Sequence, residues 1–290
     1  MEICSQEQAD TVRAALSKGA NVNERDKGGW NALMFAAYSN PYPEVIGLLL
    51  AAGADVNEPS PDDGKTALML ACCENSAEVI KALIEAGADV NATTPDKQNA
   101  LMAAIVNNRS DAVNLLIKAG IDVNAATDLG VTPLMTAATI GLGEAIRRLI
   151  RAGSDVNARD SLGSTALMYA ASQKQSVEVL KRLTDSGADV NAQDQSGVSA
   201  LIHASGIEGN EEAVRFLLSR GADPDLATKE GMTALMAAAS FSKDSNVIQA
   251  LLEGGADITA RNQYGHTAYD FIDEKSPLWQ TGAHEALKTS

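Results

Sequence analysis

Few side chains in this chain have the chemistry for catalysis or metal binding, and they are widely separated. A catalytic site needs a nucleophile, a base or a set of metal ligands that converge on one point. The sequence contains no glycine-rich phosphate loop, no Cys-x-x-Cys pair, no His-Glu-x-x-His segment and no Gly-x-Ser-x-Gly turn. We therefore expect no enzyme activity, no catalytic residue and no cofactor. The candidate side chains are His203, His266, His284, Cys4, Cys72 and Cys73.

A ladder of aspartates raises the question of calcium binding. Each lies two residues after a glycine in a repeated segment, at Asp55, Asp89, Asp122, Asp155, Asp189, Asp223 and Asp257. Calcium requires several clustered oxygen ligands, whereas these carboxylates recur singly. An aspartate at the end of a helix instead accepts hydrogen bonds from turn amides. We therefore predict a structural role for the ladder and no metal site.

The cysteines give no disulfide framework. Three cysteines cannot all pair, and Cys72 and Cys73 are adjacent, so a bridge between them would be strained. Both occupy small-residue positions of a predicted helix, where burial as small apolar side chains is the expected role. A reducing compartment fits this pattern, so a cytoplasmic location is favoured, with export possible if an N-terminal segment was removed.

Charge and composition narrow the class of partner. The formal net charge of −15 opposes binding to a phosphate backbone, so we expect no nucleic-acid partner and favour a neutral or basic protein. No apolar stretch approaches the roughly 20 residues needed to span a bilayer, so we expect no membrane insertion. The chain is 45% hydrophobic but only 4% aromatic, which suits many small stacked elements better than one thick core.

Two repeated segments in register organise the whole chain. A polar residue followed by Ala-Leu-Met or a close variant recurs every 33 to 35 residues, starting at Asn31, Thr66, Asn99, Thr132, Thr165, Ser199, Thr233 and Thr267. A Gly-Ala-Asp-Val-Asn segment or a variant of it recurs in step, starting at Gly19, Gly53, Gly87, Gly120, Gly153, Gly187, Gly221 and Gly255. Two ladders in step indicate a repeat architecture.

Each repeat has a physical interpretation as two helices and a tight loop. The polar residue caps a short alanine-rich helix, and a second amphipathic helix follows. The glycine of the second ladder ends that helix in a left-handed conformation. Another glycine, two residues before each cap, reverses the chain in a hairpin. Lys97 stands at that position in one repeat, where we predict a strained or rearranged turn.

These segments resemble the ankyrin repeat, whose unit is a β-hairpin followed by two antiparallel helices. The resemblance implies an all-α-dominated repeat solenoid, a stack of helix-turn-helix units joined by short β-hairpin loops. It implies one solenoid over residues 1–290, with a partial N-terminal repeat at 1–25, seven repeats at 26–261 and a C-terminal capping repeat at 262–290. Methionine replaces the usual family histidine of the first helix, so stacking is expected to depend more on packing. The replacing residues are Met34, Met69, Met102, Met135, Met168 and Met236.

The ends and the longer repeats carry further expectations. If Asp10 matches Glu78, Met1 falls inside a first helix, which predicts that the natural protein extends upstream. At the other end, Thr267 begins a first helix that Ser276-Pro277 ends, and residues 282–287 form a final helix. Trp279 is expected to cover the end of the stack. The extra residue of each 34-residue repeat is placed between the two helices, around Gln173–Ser176, Glu208–Glu211 and Ser242–Ser245.

The predicted function is protein binding. By resemblance, ankyrin repeats bind through hairpin tips and the exposed side of first helices, which form the concave face. On the matching positions we expect exposed, partner-binding residues at Trp30, Tyr38, Lys65, Val106, Leu129, Val131, Ile140, Leu162, Val198, Ile207, Met232, Phe241 and Tyr264. A strip of such residues commonly marks a binding surface, although isolated exposed apolar residues are also normal.

Three classes of function stay open at the level of sequence. The first is a non-enzymatic interaction module, which we expect to be a monomer. The second is the regulatory or targeting portion of a larger enzyme or secreted effector whose catalytic part lies outside this chain. The third is a self-associating structural element, which would form oligomers. The residues do not identify the partner, because the surface of each repeat protein is specific to its own target.

Overall fold

The computed structural model describes residues 2–174, 177–242, 244–279 and 281–288, with side chains described from residue 7 onward. The chain packs as two compact units, Met1–Asp128 (unit 1) and Leu129–Ser290 (unit 2). Within the described ranges the structure is helical, and the only β-pairing consists of isolated bridges. The fold is therefore an all-α repeat solenoid, as the sequence predicts.

The described part of unit 1 contains seven helices that pack in two layers. The first helices of successive repeats pack on each other, α2 on α4 and α4 on α6, and the second helices do the same, α3 on α5 and α5 on α7. The N-terminal helix α1 packs against α3. The helices are α1 (Glu2–Ser17), α2 (Ala32–Ser39), α3 (Pro43–Ala51), α4 (Ala67–Glu74), α5 (Ala77–Glu85), α6 (Ala100–Val106) and α7 (Ser110–Lys118).

The N-terminal residues form a single long helix. Asp10, which the register matches to Glu78 of the second helix α5, lies within one unbroken helix that runs from Glu2 to Ser17. No glycine or proline interrupts this stretch, so nothing in the sequence ends a helix there. Met1, which the register places inside a first helix, lies outside the described residues.

Unit 2 repeats the same two layers. First helices α8, α10, α12 and α14 pack in succession, and second helices α9, α11, α13 and α15 do likewise, with α16 against α15. Their bounds are α8 (Pro133–Ile140), α9 (Gly143–Arg151), α10 (Ala166–Ala171), α11 (Val177–Asp185), α12 (Ala200–Ser205), α13 (Glu211–Ser219), α14 (Ala234–Ala237), α15 (Ser245–Glu253) and α16 (Gly282–Ala286).

The local signals that begin and end the helices act as predicted. The capping side chain of each first helix from α2 to α14 accepts a hydrogen bond from the backbone amide three residues on, as Asn31 does from Met34 at 2.9 Å. The glycines that end the second helices have positive φ, from 85° at Gly19 to 95° at Gly53. The hairpin glycines also have positive φ, and Lys97 adopts the same region with φ 62°.

The strain predicted at Lys97 is therefore confirmed, and the turn is not rearranged. The Thr94 amide donates to the Gln98 carbonyl at 2.9 Å and the Lys97 amide to the Thr94 carbonyl at 2.8 Å. The glycine turn at Asp160–Ser164 has the same two bonds. A residue with a Cβ thus takes a left-handed conformation that costs roughly 1–2 kcal/mol relative to glycine.

The hairpin loops pair more weakly than the term β-hairpin suggests. Among the described residues they form only isolated bridges, Thr93 with Asn99, Gln193 with Ser199 and Ala227 with Thr233. In unit 2 each hairpin tip also hydrogen-bonds to the previous one, for example the Lys229 amide to the Ser196 carbonyl at 2.9 Å. These bonds fix the spacing of successive tips.

The aspartate ladder is structural, as predicted, and an asparagine ladder joins it. Asp55 accepts a hydrogen bond from the Asn57 amide at 2.9 Å, and the other six aspartates bind the amide two residues on in the same way. Asn57 then links to the next repeat, donating to the Gly87 carbonyl and accepting from the Asp89 amide at 2.7 Å. The sequence analysis did not identify these links between repeats.

The methionines of the first helices are buried, as packing requires, with Met34 and Met135 each 1% exposed. Two of them keep a polar role as well. The Thr132 amide donates to the Met135 sulfur and the Thr165 amide to the Met168 sulfur, each at 3.4 Å. The methionine therefore closes the cap of its own helix at these two positions, in addition to filling the core.

Unit 2 accommodates one extra residue in an unexpected place. The prediction put it in a turn at Ser242–Ser245, but the first helix instead continues as a π-helical turn, Ala238–Ser242. A π-turn inserts one residue into a helix without ending it, and such turns often occur at functional sites. Part of the Ser242–Ser245 and Gln173–Ser176 predictions lies outside the described residues.

The first helix of the C-terminal repeat is shorter than predicted. Only a 3₁₀ turn, Tyr269–Phe271, follows Thr267, in place of a full first helix. Leu278 is 1% exposed and Leu287 fully buried. The Trp279 ring packs against His284, with the ring centroids 4.5 Å apart, so it contacts the terminal segment as a capping residue would.

Candidate functional site

The predicted partner-binding residues lie on first helices and hairpin tips, which together form what we call the inner surface of each unit. Seven of them are exposed: Tyr38, Val106, Leu129, Ile140, Leu162, Phe241 and Tyr264. The other six are half-buried rather than exposed as predicted: Trp30, Lys65, Val131, Val198, Ile207 and Met232. Contacts within unit 1 and within unit 2 explain most of this difference.

In unit 2 the structure brings four of these residues together around a cavity of about 650 Å³, which we call the inner groove. They are Val198, Ile207, Met232 and Phe241. This convergence makes Val198, Ile207 and Met232 half-buried, because they form the walls of a depression. The remaining lining residues are Ser172, Ser196, Ile202, His203, Gly206, Thr228, Lys229, Glu230 and Ala237.

The floor of the inner groove belongs to the packed first helices. Ile202 on α12 is 7% exposed and Ala237 on α14 is 2% exposed, so the core holds them in place. Gly206 ends α12 and has no side chain to occupy the space above it. A Cβ at Gly206 would lie 3.9 Å from the Phe241 Cβ, in ordinary contact. The groove is therefore open at Gly206 because of the small residue there.

One wall of the inner groove comes from the π-helical turn. Phe241 lies within Ala238–Ser242, where its side chain is 66% exposed. The Ser242 hydroxyl donates to the Ile207 carbonyl at 3.2 Å, which ties this turn to the preceding repeat. The extra residue thus accompanies an exposed aromatic side chain at the edge of the groove, and such side chains are frequent binding hot spots.

The rim of the inner groove is polar. Lys229 and Glu230 come from the hairpin tip that precedes α14, and the Lys229 amide holds that tip to Ser196 at 2.9 Å. His203 projects from α12, and burial lowers the pKa of its imidazole, while the charge of Asp194 acts in the opposite direction. An apolar floor with a few polar groups at the rim is the usual composition of a binding site.

Unit 1 presents an aromatic cluster, Trp30, Phe35 and Tyr38, on its inner surface. The ring centroids of Trp30 lie 5.2 Å from Phe35 and 5.6 Å from Tyr38, the latter in an edge-to-face arrangement. Phe35 is 45% and Tyr38 38% exposed, so the cluster is accessible although the rings pack on each other. These contacts explain why Trp30 is half-buried.

The structure does not bring the other predicted residues into these two sites. Lys65 is bonded to Asp63, Nζ to carboxylate oxygen 2.9 Å, and this hydrogen bond raises the pKa of Lys65. Tyr264 contacts His266, with ring centroids 6.5 Å apart. Five residues lie on the inner surface outside the groove and the aromatic cluster: Val106, Leu129, Val131, Ile140 and Leu162.

The sequence analysis missed one position of the repeat, which supplies a side chain both to the inner groove and to the aromatic cluster. Phe35 and His203 each stand four residues after the cap of their first helix, one helical turn before the positions chosen at Tyr38 and Ile207. Residues three or four apart lie on the same face of a helix. Applying this spacing from the chosen positions back toward the cap would have identified both.

The remaining chemical candidates do not assemble a reactive site within the described ranges. Cys72 is fully buried and Cys73 half-buried, and burial raises the pKa of both thiols, which disfavours the reactive thiolate. No group of three histidine, cysteine or acidic side chains is placed to hold a metal in the part of the chain that is described. None of the described helices is long and apolar enough to cross a membrane.

Comparison with known proteins gives one result at the level of the family. The family model of ankyrin repeats, built on three repeat copies, matches four overlapping segments, residues 1–60, 42–127, 124–194 and 173–262. Together these segments span most of the chain. A search of curated proteins finds no match.

Proposed function

Because this chain belongs to the ankyrin-repeat family, whose members are generally protein-protein interaction modules and typically non-catalytic, we propose that it binds a protein partner through the inner groove of unit 2. The observation that carries this proposal is the convergence of Val198, Ile207, Met232 and Phe241 on one cavity of about 650 Å³. A cavity of this size with an apolar floor accommodates one or two large side chains of a partner.

The aromatic cluster of unit 1 supports the same function. Aromatic side chains bury a large area at small entropic cost and are enriched among residues that dominate binding energy. Trp30, Phe35 and Tyr38 hold each other in place, so little ordering is needed on contact. We propose that the aromatic cluster forms a second contact surface for a partner, separate from the inner groove.

The groove is tested by filling it. Gly206→Leu places a side chain in the open space, whereas Gly206→Ala adds only a Cβ in ordinary contact with its neighbours. The immobilised protein and both variants are used to capture partners from a lysate of the source cells, and captured proteins are quantified by mass spectrometry. Proteins captured by wild type and by Gly206→Ala, but lost with Gly206→Leu, are the expected groove partners.

Two controls are needed to interpret the result. Circular dichroism must show equal helix content for the three proteins, since a misfolded variant would also lose its partners. Lys81→Ser, on the exposed side of α5, changes a surface outside the inner groove and should retain all partners. Capture that is undiminished in Gly206→Leu would refute the groove as the binding site.

A further inference from the structure

A second groove in unit 2 concentrates positive charge on the side formed by second helices. It runs between α9 and α11, has a volume of about 370 Å³, and is called here the outer groove. Four cationic and two acidic side chains line it, with Ile150 and Ser186 completing the wall. The charged residues are Arg147, Arg151, Lys181, Arg182, Glu178 and Asp185.

The matching groove of unit 1 lacks an excess of cationic over acidic side chains. It runs between α5 and α7, has a volume of about 400 Å³, and carries two lysines and two acidic residues. Its lining residues are Ala77, Glu78, Lys81, Asp111, Asn114, Leu115 and Lys118. Grooves of this kind therefore occur in both units. Of these two grooves, the one in unit 2 has the excess of cationic side chains, in a chain with a net charge of −15.

Several charges of the outer groove are already paired. Arg147 and Arg148 both bind Glu144, at 2.8 Å and 2.7 Å, and these bonds lower the pKa of Glu144 to about 2. Arg182 pairs with Glu178 at 3.0 Å, and Asp185 pairs with Arg220, the residue that follows α13. Each acidic side chain of the groove is thus neutralised by an arginine.

Arg151 and Lys181 are different, because they have no ion-pair partner among the described residues and both are exposed. The helix dipole accounts for cations in the last turn of α9, where Arg148 and Arg151 lie. It does not account for Lys181, which lies in the middle of α11. Lys181 therefore stabilises neither an ion pair nor a helix end. Arg151 lies at a helix end, but its guanidinium has no carboxylate partner among the described residues, so both charges are available to a ligand.

We propose that the outer groove binds an acidic segment of a protein, with glutamate or aspartate side chains at Arg151 and Lys181 and an apolar contact at Ile150. Guanidinium groups bind carboxylates through paired hydrogen bonds, and the half-buried Ile150 offers apolar surface beside them. This site lies on a different face from the inner groove and does not depend on the function proposed for it.

The size of the charged area favours a short peptide segment over nucleic acid. At physiological salt charges act over about 8 Å, so a few carboxylates in the groove experience mainly its local cations. A nucleic acid extends far beyond the groove and would meet the acidic remainder of the chain. The overall charge of −15, which predicts a neutral or basic partner, therefore does not describe this part of the surface.

Matched charge reversals test the proposal. The variant Arg151→Glu/Lys181→Glu alters the outer groove, and the control Lys118→Glu/Lys81→Glu makes the same change in net charge at the same helix positions of unit 1. Fluorescence anisotropy measures binding of a labelled peptide of alternating glutamate and leucine, at about 50 mM salt. A glutamine-leucine peptide and a single-stranded oligonucleotide are the comparison probes.

The expected result is loss of binding in one variant only. The outer-groove variant should bind the glutamate peptide about tenfold more weakly than wild type, while the control changes affinity by less than about threefold. The glutamine peptide should bind wild type more weakly than the glutamate peptide does. Equal losses in the two variants, no binding of the glutamate peptide by wild type, or tighter binding of the oligonucleotide would each overturn the proposal.

Discussion

The hairpin tips of the two units are built from the same repeat but are connected differently. In unit 2 successive tips are joined by backbone hydrogen bonds of 2.8 to 2.9 Å, such as the Ser161 amide to the Leu129 carbonyl. In unit 1 Pro61 and Pro95 occupy the position of Ser161 and have no amide hydrogen to donate, and the bond from Asp128 to Asp96 is 3.3 Å.

This difference shows that a proline at one position of the repeat removes the backbone bond between neighbouring hairpin tips. The joined tips of unit 2 carry Lys229 and Glu230 at the rim of the inner groove, so this rim is fixed by backbone bonds. The aromatic cluster of unit 1 depends instead on contacts between its own rings. Both surfaces are therefore held before binding, the rim by backbone bonds and the aromatic cluster by ring contacts, so each requires little ordering on contact.

The largest effect is expected where the joined tips approach most closely. Gly231 has φ 80°, and a Cβ there would lie 2.8 Å from the Cα of Asn262. Gly231→Ala should lower the free energy of unfolding by roughly 2–4 kcal/mol, since it combines an unfavourable φ with a backbone collision. Urea unfolding followed by Trp279 fluorescence in a Trp30→Phe background measures this in unit 2.

The control for Gly231→Ala is Gly265→Ala. Gly265 has nearly the same φ, 81°, but a Cβ added there would meet no described atom within 4 Å. Gly265→Ala should lower the free energy of unfolding only by the cost of placing alanine at a positive φ, roughly 1–2 kcal/mol. If the two variants lost equal stability, close approach of the tips would play no part in unit 2.

The hydrogen bond between tips is tested by giving unit 2 the residue found in unit 1. Ser161→Pro removes the amide that donates to Leu129 at 2.8 Å. The backbone at this position accepts proline, as Pro61 and Pro95 show, so the main change is the lost bond. We expect a decrease of about 1 kcal/mol in the free energy of unfolding, measured by urea titration. An unchanged value would mean that the bond between tips does not contribute to stability.

The reverse exchange tests the strained turn of unit 1. Lys97→Gly relieves the positive φ of 62° and should raise the stability of unit 1 by about 0.5–1 kcal/mol, after allowing for the greater freedom of glycine in the unfolded chain. The Lys97 to Asp128 ion pair at 3.2 Å is exposed, so its loss offsets little of the gain. Trp30 fluorescence during urea unfolding reports on this unit, and a lower midpoint would contradict the strain.

The features that could be predicted from the sequence are those that depend on the backbone preference of a single residue. The caps, the helix-ending glycines, the hairpin glycines and the strain at Lys97 follow from the local chemistry of single positions. The family and the all-α repeat fold follow from their spacing. Features that depend on neighbouring repeats were not predictable in this way, including the Asn57 links and the bonds between tips.

The same limit applies to the proposed binding surface. The sequence placed Val198, Ile207, Met232 and Phe241 on one surface, but it could not show that Gly206 leaves a cavity among them. That depends on the volumes of side chains from three successive repeats. The π-helical turn was also missed, because an extra residue can be accommodated either in a loop or within a helix and its position alone does not distinguish them.

The smallest predicted effect is a difference between the two units in how their stability depends on pH. All three histidines lie in unit 2, and burial lowers the pKa of His203 below the value of about 6.5 for an unfolded chain. The unfolded chain therefore binds a proton more readily, so the contribution of His203 to stability is complete above about pH 6.5 and decreases as the pH falls below it. His203→Gln should make the stability of unit 2 less dependent on pH between about 7 and 5, as measured by urea unfolding with Trp279 as the reporter. The same variant should leave the pH dependence reported by Trp30 in unit 1 unchanged, and an unaltered slope in unit 2 would show that burial of His203 has no effect on its protonation.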